Sequence, residues 1–279
     1  MAAMADINRR QIGEGLAALA TTLAASAATP VAAQAPAPPE PAHDMHGMPA
    51  HWMGKEEIAF LIYPGFTALD MIGPHYMLTM LMGAKVHIVA ESRQPVASDT
   101  GLIFIPSATF ADCPADLDIL CIPGGTTGTL RAIRSEATLA FVKDRGTRAK
   151  RVTSVCTGSL VLAAAGLLQG YKATSHWVTR PMLAKFGAIP TDARIVRDRN
   201  RITGAGVTAG LDFGLALVAD LRDRPYAEAV QLLAEYAPEP PFDAGTPEKS
   251  PASKALLDTM FASFVSEAER TVLAALARN

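Results

Sequence analysis

The sequence predicts an α/β fold, a mostly parallel sheet with helices on both faces. Three observations carry that expectation. Short apolar strands alternate with helical stretches through most of the chain. One strand ends in a glycine pair, in "DLDILCIPGG", and another, in "RVTSVCTGSLVLAAAGLLQG", gives way to a helix at Cys156. Strands alternating with helices are the pattern of a parallel sheet covered on both sides.

Each element follows from local chemistry. "EIAFLIY" and "KVHIVAE" are short runs rich in β-branched and aromatic residues and read as buried strands, with the helix "ALDMIGPHYMLTML" between them. A polar turn and "GLIFIP" read as a hairpin at the edge. "TLRAIRSEATLAFVKDRGTRA" is amphipathic and reads as one helix leading into the strand Val152 to Val155. From Thr157 onward Leu160, Val161, Ala164, Leu167 and Leu168 recur at helical spacing, and Gly166 and Gly170 weaken and then stop it. "ARIVRDRNRITGAG" is a strand pair turning at Asp198 to Asn200, and "VTAGLDFGLALVADL" and "PYAEAVQLLAEYA" are helices that close the domain.

Bulk composition narrows the function. With 279 residues, 49% hydrophobic and 19% charged, the chain has material for one substantial core. A net charge of −2 favours neither nucleic acid nor an anionic membrane surface, and no apolar run is pure and long enough for a permanent span. The N-terminus reads as a targeting segment. Arg9 and Arg10 precede a weakly apolar Ala/Leu/Thr stretch and Ala33-Gln34-Ala35, the order of a Tat-like signal over residues 1–35. Export by that route makes the protein periplasmic. Residues 36–54 form a Pro-rich tether carrying His43, Met45, His46, Met48, His51 and Met53; such ligands suit copper, but no spacing fixes a geometry, so no metal site is assigned. The α/β domain then spans residues 55–279.

Chemistry concentrates at strand ends, where ligands bind in such sheets. Cys156 stands where the unpaired N–H groups of a helix start would lower a thiol pKa and favour the thiolate. Asp70 opens a helix and is either a carboxyl group for acid–base work or an N-cap. Gly124 and Gly125 leave backbone N–H groups to approach a substrate, or merely make a tight turn. Thr157 follows the cysteine, and His176, in "TSHW", comes twenty residues after it. Three cysteines (Cys113, Cys121 and Cys156) are an odd number for an exported protein, so at least one is free.

Together "LDMIGP", "ADCPADLDILCIPGGT", "VTSVCTGSLVLAAAGLLQG", "ATSHW" and the tail "YAPEPPFDAG" resemble the isonitrile hydratases of the ThiJ/PfpI superfamily over about residues 56–270. The resemblance implies a flavodoxin-like, class I glutamine amidotransferase-like domain with a nucleophile elbow. It implies Cys156 as nucleophile, Asp70 as catalytic carboxyl group and Thr157 as a residue needed beside the cysteine. Gly124, Gly125 and His176 would then bind substrate. It further implies a small-molecule isonitrile substrate, a homodimer and no cofactor. The signal and the His/Met tether depart from the family pattern. A glyoxalase-type enzyme and a cysteine redox sensor are the competing classes; the ligand-sensing domain of a transcription regulator would need an added DNA-binding module.

Overall fold

The computed structural model describes residues 47–278; the signal segment and the part of the tether holding His43, Met45 and His46 lie outside them. In chain order the strands are β1 (Glu57–Leu61), β2 (Lys85–Ala90), β3 (Val96–Ala97), β4 (Ile103–Phe104), β5 (Ala108–Thr109), β6 (Ile119–Ile122), β7 (Arg151–Val155), β8 (Lys172–Ala173), β9 (Ile189–Pro190), β10 (Ile195–Asp198) and β11 (Arg201–Gly204). The α-helices are α1 (Ala68–Thr79), α2 (Thr126–Arg134), α3 (Glu136–Arg148), α4 (Gly158–Ala164), α5 (Ala209–Leu221), α6 (Arg224–Leu233) and α7 (Pro251–Leu276). Seven strands form the main sheet in the order β10-β11-β7-β6-β1-β2-β5. All neighbours run parallel except β10 against β11, the predicted hairpin through Asp198 to Asn200. The "GLIFIP" segment pairs with Val96–Ala97 as a separate two-stranded ribbon, outside the main sheet.

Burial explains the arrangement. The central strands β1, β6 and β7 are buried almost throughout, as expected of strands covered on both faces. Helices α1, α5 and α6 pack together, and α2, α3, α4 and α7 form a second group. Gly210 and Gly214 let α5 lie close on α1. A Cβ at Gly210 would stand 2.8 Å from Pro74 Cδ, and one at Gly214 would stand 3.1 Å from Pro74 Cα. Among the described residues no helix is long and apolar enough to cross a membrane.

Three features differ from the sequence reading. The stretch expected as one helix after the glycine pair is two, α2 and α3. Ser135 breaks it with extended backbone (ψ 111°), and its hydroxyl caps α3 by accepting from the N–H of Thr138. Helix α7 was not anticipated. Its buried stripe is made of Ala268, Thr271, Val272 and Ala275, small residues that give a weak periodic signal.

The third difference concerns the tether. Its last residues dock on the domain: Ala50–Trp52 form a 3₁₀ turn. Trp52 packs edge-on against Tyr226 at 5.0 Å and donates to Asp223 at 2.9 Å. His51 Nε2 meets the same carboxylate at 2.6 Å. Arg222, nearly buried, pairs with Glu56 and donates to the Trp52 carbonyl at 2.6 Å. Trp52→Ala is therefore expected to lower the unfolding free energy by about 1–3 kcal/mol through lost aromatic packing. A thermal melt checks it, with Trp52→Phe, which keeps a ring against Tyr226, recovering most of the loss.

Candidate active site

The elbow is real. Strand β7 ends at Val155, helix α4 starts at Gly158, and Cys156 between them has φ +56°, a left-handed conformation that costs a non-glycine residue strain. Surrounding bonds hold it there. The Cys156 N–H donates to Gly204 on β11 at 3.1 Å. Its carbonyl accepts from the hydroxyls of Ser159 at 3.2 Å and Ser175 at 3.1 Å. Gly158 is required because a Cβ there would strike the Ile122 carbonyl oxygen of β6.

Asp70 is not a cap. It sits in the first turn of α1, fully buried, after the N-cap position at Thr67. Its Oδ2 accepts from the Gly124 N–H at 2.8 Å. Its Oδ1 finds no protein donor in hydrogen-bonding geometry. The neighbour it addresses is the thiol of Cys156, and the two groups shift each other's ionisation. Burial pushes the Asp70 carboxyl up to about 7, with the Asp99 carboxylate adding to the rise against the Gly124 hydrogen bond. Burial also raises the Cys156 thiol well above its usual range, and Asp70 raises it further. The helix start does favour the thiolate, through the N–H and hydroxyl of Thr157, but the opposing effects win. This corrects the expectation of a depressed thiol pKa. The resting site is a thiol beside a carboxyl group poised near neutrality, with one proton more than two free anions would carry.

The glycine pair is also read differently in the folded protein. Its N–H groups are not free: Gly124 donates to Asp70, and Gly125 donates to Thr157 Oγ1 at 3.0 Å. Gly124 admits no side chain, since a Cβ would stand 2.6 Å from Thr157 N and Oγ1 and 2.8 Å from Asp70 Oδ2. The pair thus clamps the carboxylate and the threonine in place. Asp70, Gly124, Gly125 and Thr157 all come together around Cys156.

Among the described residues the His176 ring shares no hydrogen bond with these groups. Its Nδ1 accepts from the Val178 N–H at 3.4 Å, its ring lies against Trp177, and burial lowers its pKa. It lines a separate cavity of about 330 Å³ with Trp177, Arg180, Arg194, Thr208 and Glu248. That cavity carries charged side chains in its walls. It adjoins the elbow, because Ser175 and Gly204, each one residue from its walls, hydrogen-bond to the Cys156 backbone.

Two participants escaped the sequence reading in part. Tyr63, two residues past the end of β1, donates its hydroxyl to the Pro123 carbonyl at 2.6 Å and lies 3.3 Å from Thr129 Oγ1. Thr129, in α2, is 2.7 Å from Thr157 Oγ1. The available signal was position, one residue just past a strand end and one in the helix after the glycine pair. Cys121 and Cys113 are buried and free, like Cys156. Burial raises both thiols, Cys121 to about 12.

A cysteine elbow facing a buried carboxyl group at the carboxyl ends of a parallel sheet defines a class of cysteine-centred α/β proteins. The chain belongs to the DJ-1/PfpI family, whose sequence model matches residues 56–220. It is 48% identical to the isonitrile hydratase of Pseudomonas putida over 197 residues, which cover 71% of this chain and 86% of that protein. The crystal structure of a ThiJ/PfpI family protein from Pseudomonas syringae superposes with a TM-score of 0.79 at 57% identity, covering 86% of this chain and 98% of the other. The HTH-type transcriptional regulator GbdR of Pseudomonas aeruginosa is 31% identical over 199 residues, 68% of this chain but only 53% of the regulator.

Proposed function

We propose that the protein is an isonitrile hydratase, a lyase that adds water to an isonitrile to give an N-substituted formamide without a cofactor. The observation that carries the reading is the pairing of Cys156 with Asp70, whose carboxyl group is pushed up to about 7. The similarity to the Pseudomonas putida isonitrile hydratase supports the choice of substrate class.

The chemistry balances on these residues. Asp70, as carboxylate, takes the thiol proton of Cys156 and delivers it to the terminal carbon of R–N≡C while the sulfur bonds to that same carbon. The product is the thioimidate R–N=CH–S–Cys156. Asp70 is again a carboxylate and draws a proton from water, whose oxygen attacks the carbon. The C–S bond then breaks, nitrogen takes up the proton from Asp70, and R–NH–CHO leaves with the sulfur as thiolate; the second water proton restores the thiol. A pKa near the working pH lets one group serve as base and acid in turn, a contribution of about 10²–10⁴-fold. Thr157, beside the sulfur, supports its anionic form. Glyoxalase chemistry generally pairs the cysteine with a glutamate and a histidine, whereas here the carboxylate is an aspartate.

Incubation with cyclohexyl isocyanide, following N-cyclohexylformamide by chromatography, tests the reading, with methylglyoxal as the competing substrate. Formamide production supports it; consumption of methylglyoxal alone overturns it.

The same proposal places the enzyme in the periplasm as a homodimer. The paired Arg9 and Arg10 before an Ala-rich segment support Tat export. Residues 1–35 fused to a reporter are expected to direct it to the periplasm, and Arg9→Lys with Arg10→Lys to hold it in the cytoplasm. Export surviving the double change would rule out that route.

A further inference from the structure

We propose that Tyr63 and Thr129 are positioning residues, forming with Thr157 a chain of buried hydroxyls whose orientation decides whether a proton is presented to the Cys156 sulfur. The inference rests on the reading of Cys156 as nucleophile. It adds two residues and a switching mechanism to that reading.

The two ends of the chain are fixed. At one end the Tyr63 hydroxyl donates to the Pro123 carbonyl at 2.6 Å, and a carbonyl can only accept. Toward Thr129, 3.3 Å away, the Tyr63 oxygen is therefore an acceptor. Burial keeps the phenol protonated in this role. At the other end Thr157 Oγ1 accepts from the Gly125 N–H at 3.0 Å, which commits one of its lone pairs. Between the ends, Thr129 and Thr157 lie 2.7 Å apart, so one must donate to the other.

Only two arrangements satisfy every group. In the first, Thr157 donates to Thr129, Thr129 to Tyr63, and Tyr63 to Pro123; no hydroxyl proton faces the sulfur. In the second, Thr129 donates to Thr157, and the Thr157 proton is left for Cys156, whose thiolate that hydroxyl favours. Passing between them needs only rotation of two hydroxyls. A hydrogen bond to a charged acceptor is roughly twice as strong as one between neutral groups, so the second arrangement accompanies the thiolate and the first the thiol. Tyr63 supplies the acceptor that makes the first arrangement possible. The hydroxyl chain thus lets the site shelter a thiol at rest and support an anion when the thiol proton has left.

One other titratable group, Asp70, acts on the same sulfur, and Asp99 and Cys121 are coupled to its neighbours; all three stay constant in the test. Asp70 on α1 adjoins Cys156, and Asp99, on the turn after β3, acts on both Asp70 and Tyr63. Cys121 on β6 feels Asp70.

The test reads the pH dependence of Cys156 alkylation by iodoacetamide, located by peptide mass spectrometry, in Tyr63→Phe, Thr129→Val and Thr129→Ser. Tyr63→Phe leaves Thr129 only Thr157 to donate to, and Thr129→Val leaves Thr157 only the sulfur. Both are expected to move the midpoint down by about 0.5–1 pH unit, the size of one hydrogen bond's net contribution. Thr129→Ser keeps the hydroxyl and the wild-type midpoint. Unmoved midpoints in folded Tyr63→Phe and Thr129→Val overturn the proposal; so does a Thr129→Ser midpoint that moves with Thr129→Val. If Tyr63→Phe fails to fold, the two Thr129 variants decide. Alkylation needs no isonitrile, so an absence of hydration by the wild type would count against the substrate reading alone.

Discussion

On the proposed mechanism, Cys156→Ser is expected to lose at least about 10³-fold of isonitrile turnover while the protein remains folded, because it takes away the nucleophile and with it the covalent step. Serine matches the thiol in shape, and its hydroxyl can still bond to Asp70. The elbow is held by bonds from the Cys156 backbone to Gly204, Ser159 and Ser175, none of which involves the sulfur. The φ of +56° is equally strained for either side chain, so the exchange does not release it. A hydroxyl in that place is too weak an acid for Asp70 to deprotonate. Turnover of cyclohexyl isocyanide and the thermal midpoint, measured on the same preparation, check the result. Retained turnover would remove Cys156 from the mechanism. A midpoint that collapses would mean the sulfur holds the core together.

Some of the site was legible because it is written in local pattern. Val152 to Val155 followed by a helical period places Cys156 at a corner whatever surrounds it, and the corner was found. The neighbouring helices and strands were found in the same way. What could not be read locally was where each polar group spends its hydrogen bonds. Gly124 and Gly125 carry free N–H groups in isolation, yet Asp70 and Thr157, distant in sequence, claim both. Tyr63 and Thr129 matter only because β1 and α2 bring them beside the elbow. The thiol was expected to acidify from its helix start, a local feature, but burial and a carboxyl group from α1 outweigh it. Helix α7 failed to register because its stripe is alanine and threonine where leucine usually marks a buried face.

Asp70→Asn is expected to abolish turnover and yet make the protein more stable at neutral pH. The amide oxygen can still accept from the Gly124 N–H, so the clamp on the elbow survives, while the proton carrier is gone. The stability gain follows from linkage. The Asp70 carboxyl goes from an ordinary 3.8 in the unfolded chain to about 7 when folded. Between those values the folded state holds a proton that the unfolded state has released, so stability falls as pH rises through the window and levels off above it. The full difference is on the order of 2–4 kcal/mol, and asparagine, which never ionises, does not incur it. The raised Cys156 thiol contributes only above its ordinary 9.0, outside the window. His75 and His176, lowered by burial, oppose the trend with a rise in stability as pH climbs toward 6.5, but they are common to both proteins and cancel in the difference. Urea unfolding of wild type and Asp70→Asn at pH 4, 5.5, 7 and 8 gives that difference directly. It should be near zero at pH 4, grow in favour of the variant to pH 7, and stay flat beyond. A constant difference across the series would show that Asp70 is ionised in the fold over the whole range, and a carboxylate of that kind could not pass a proton to the isonitrile carbon.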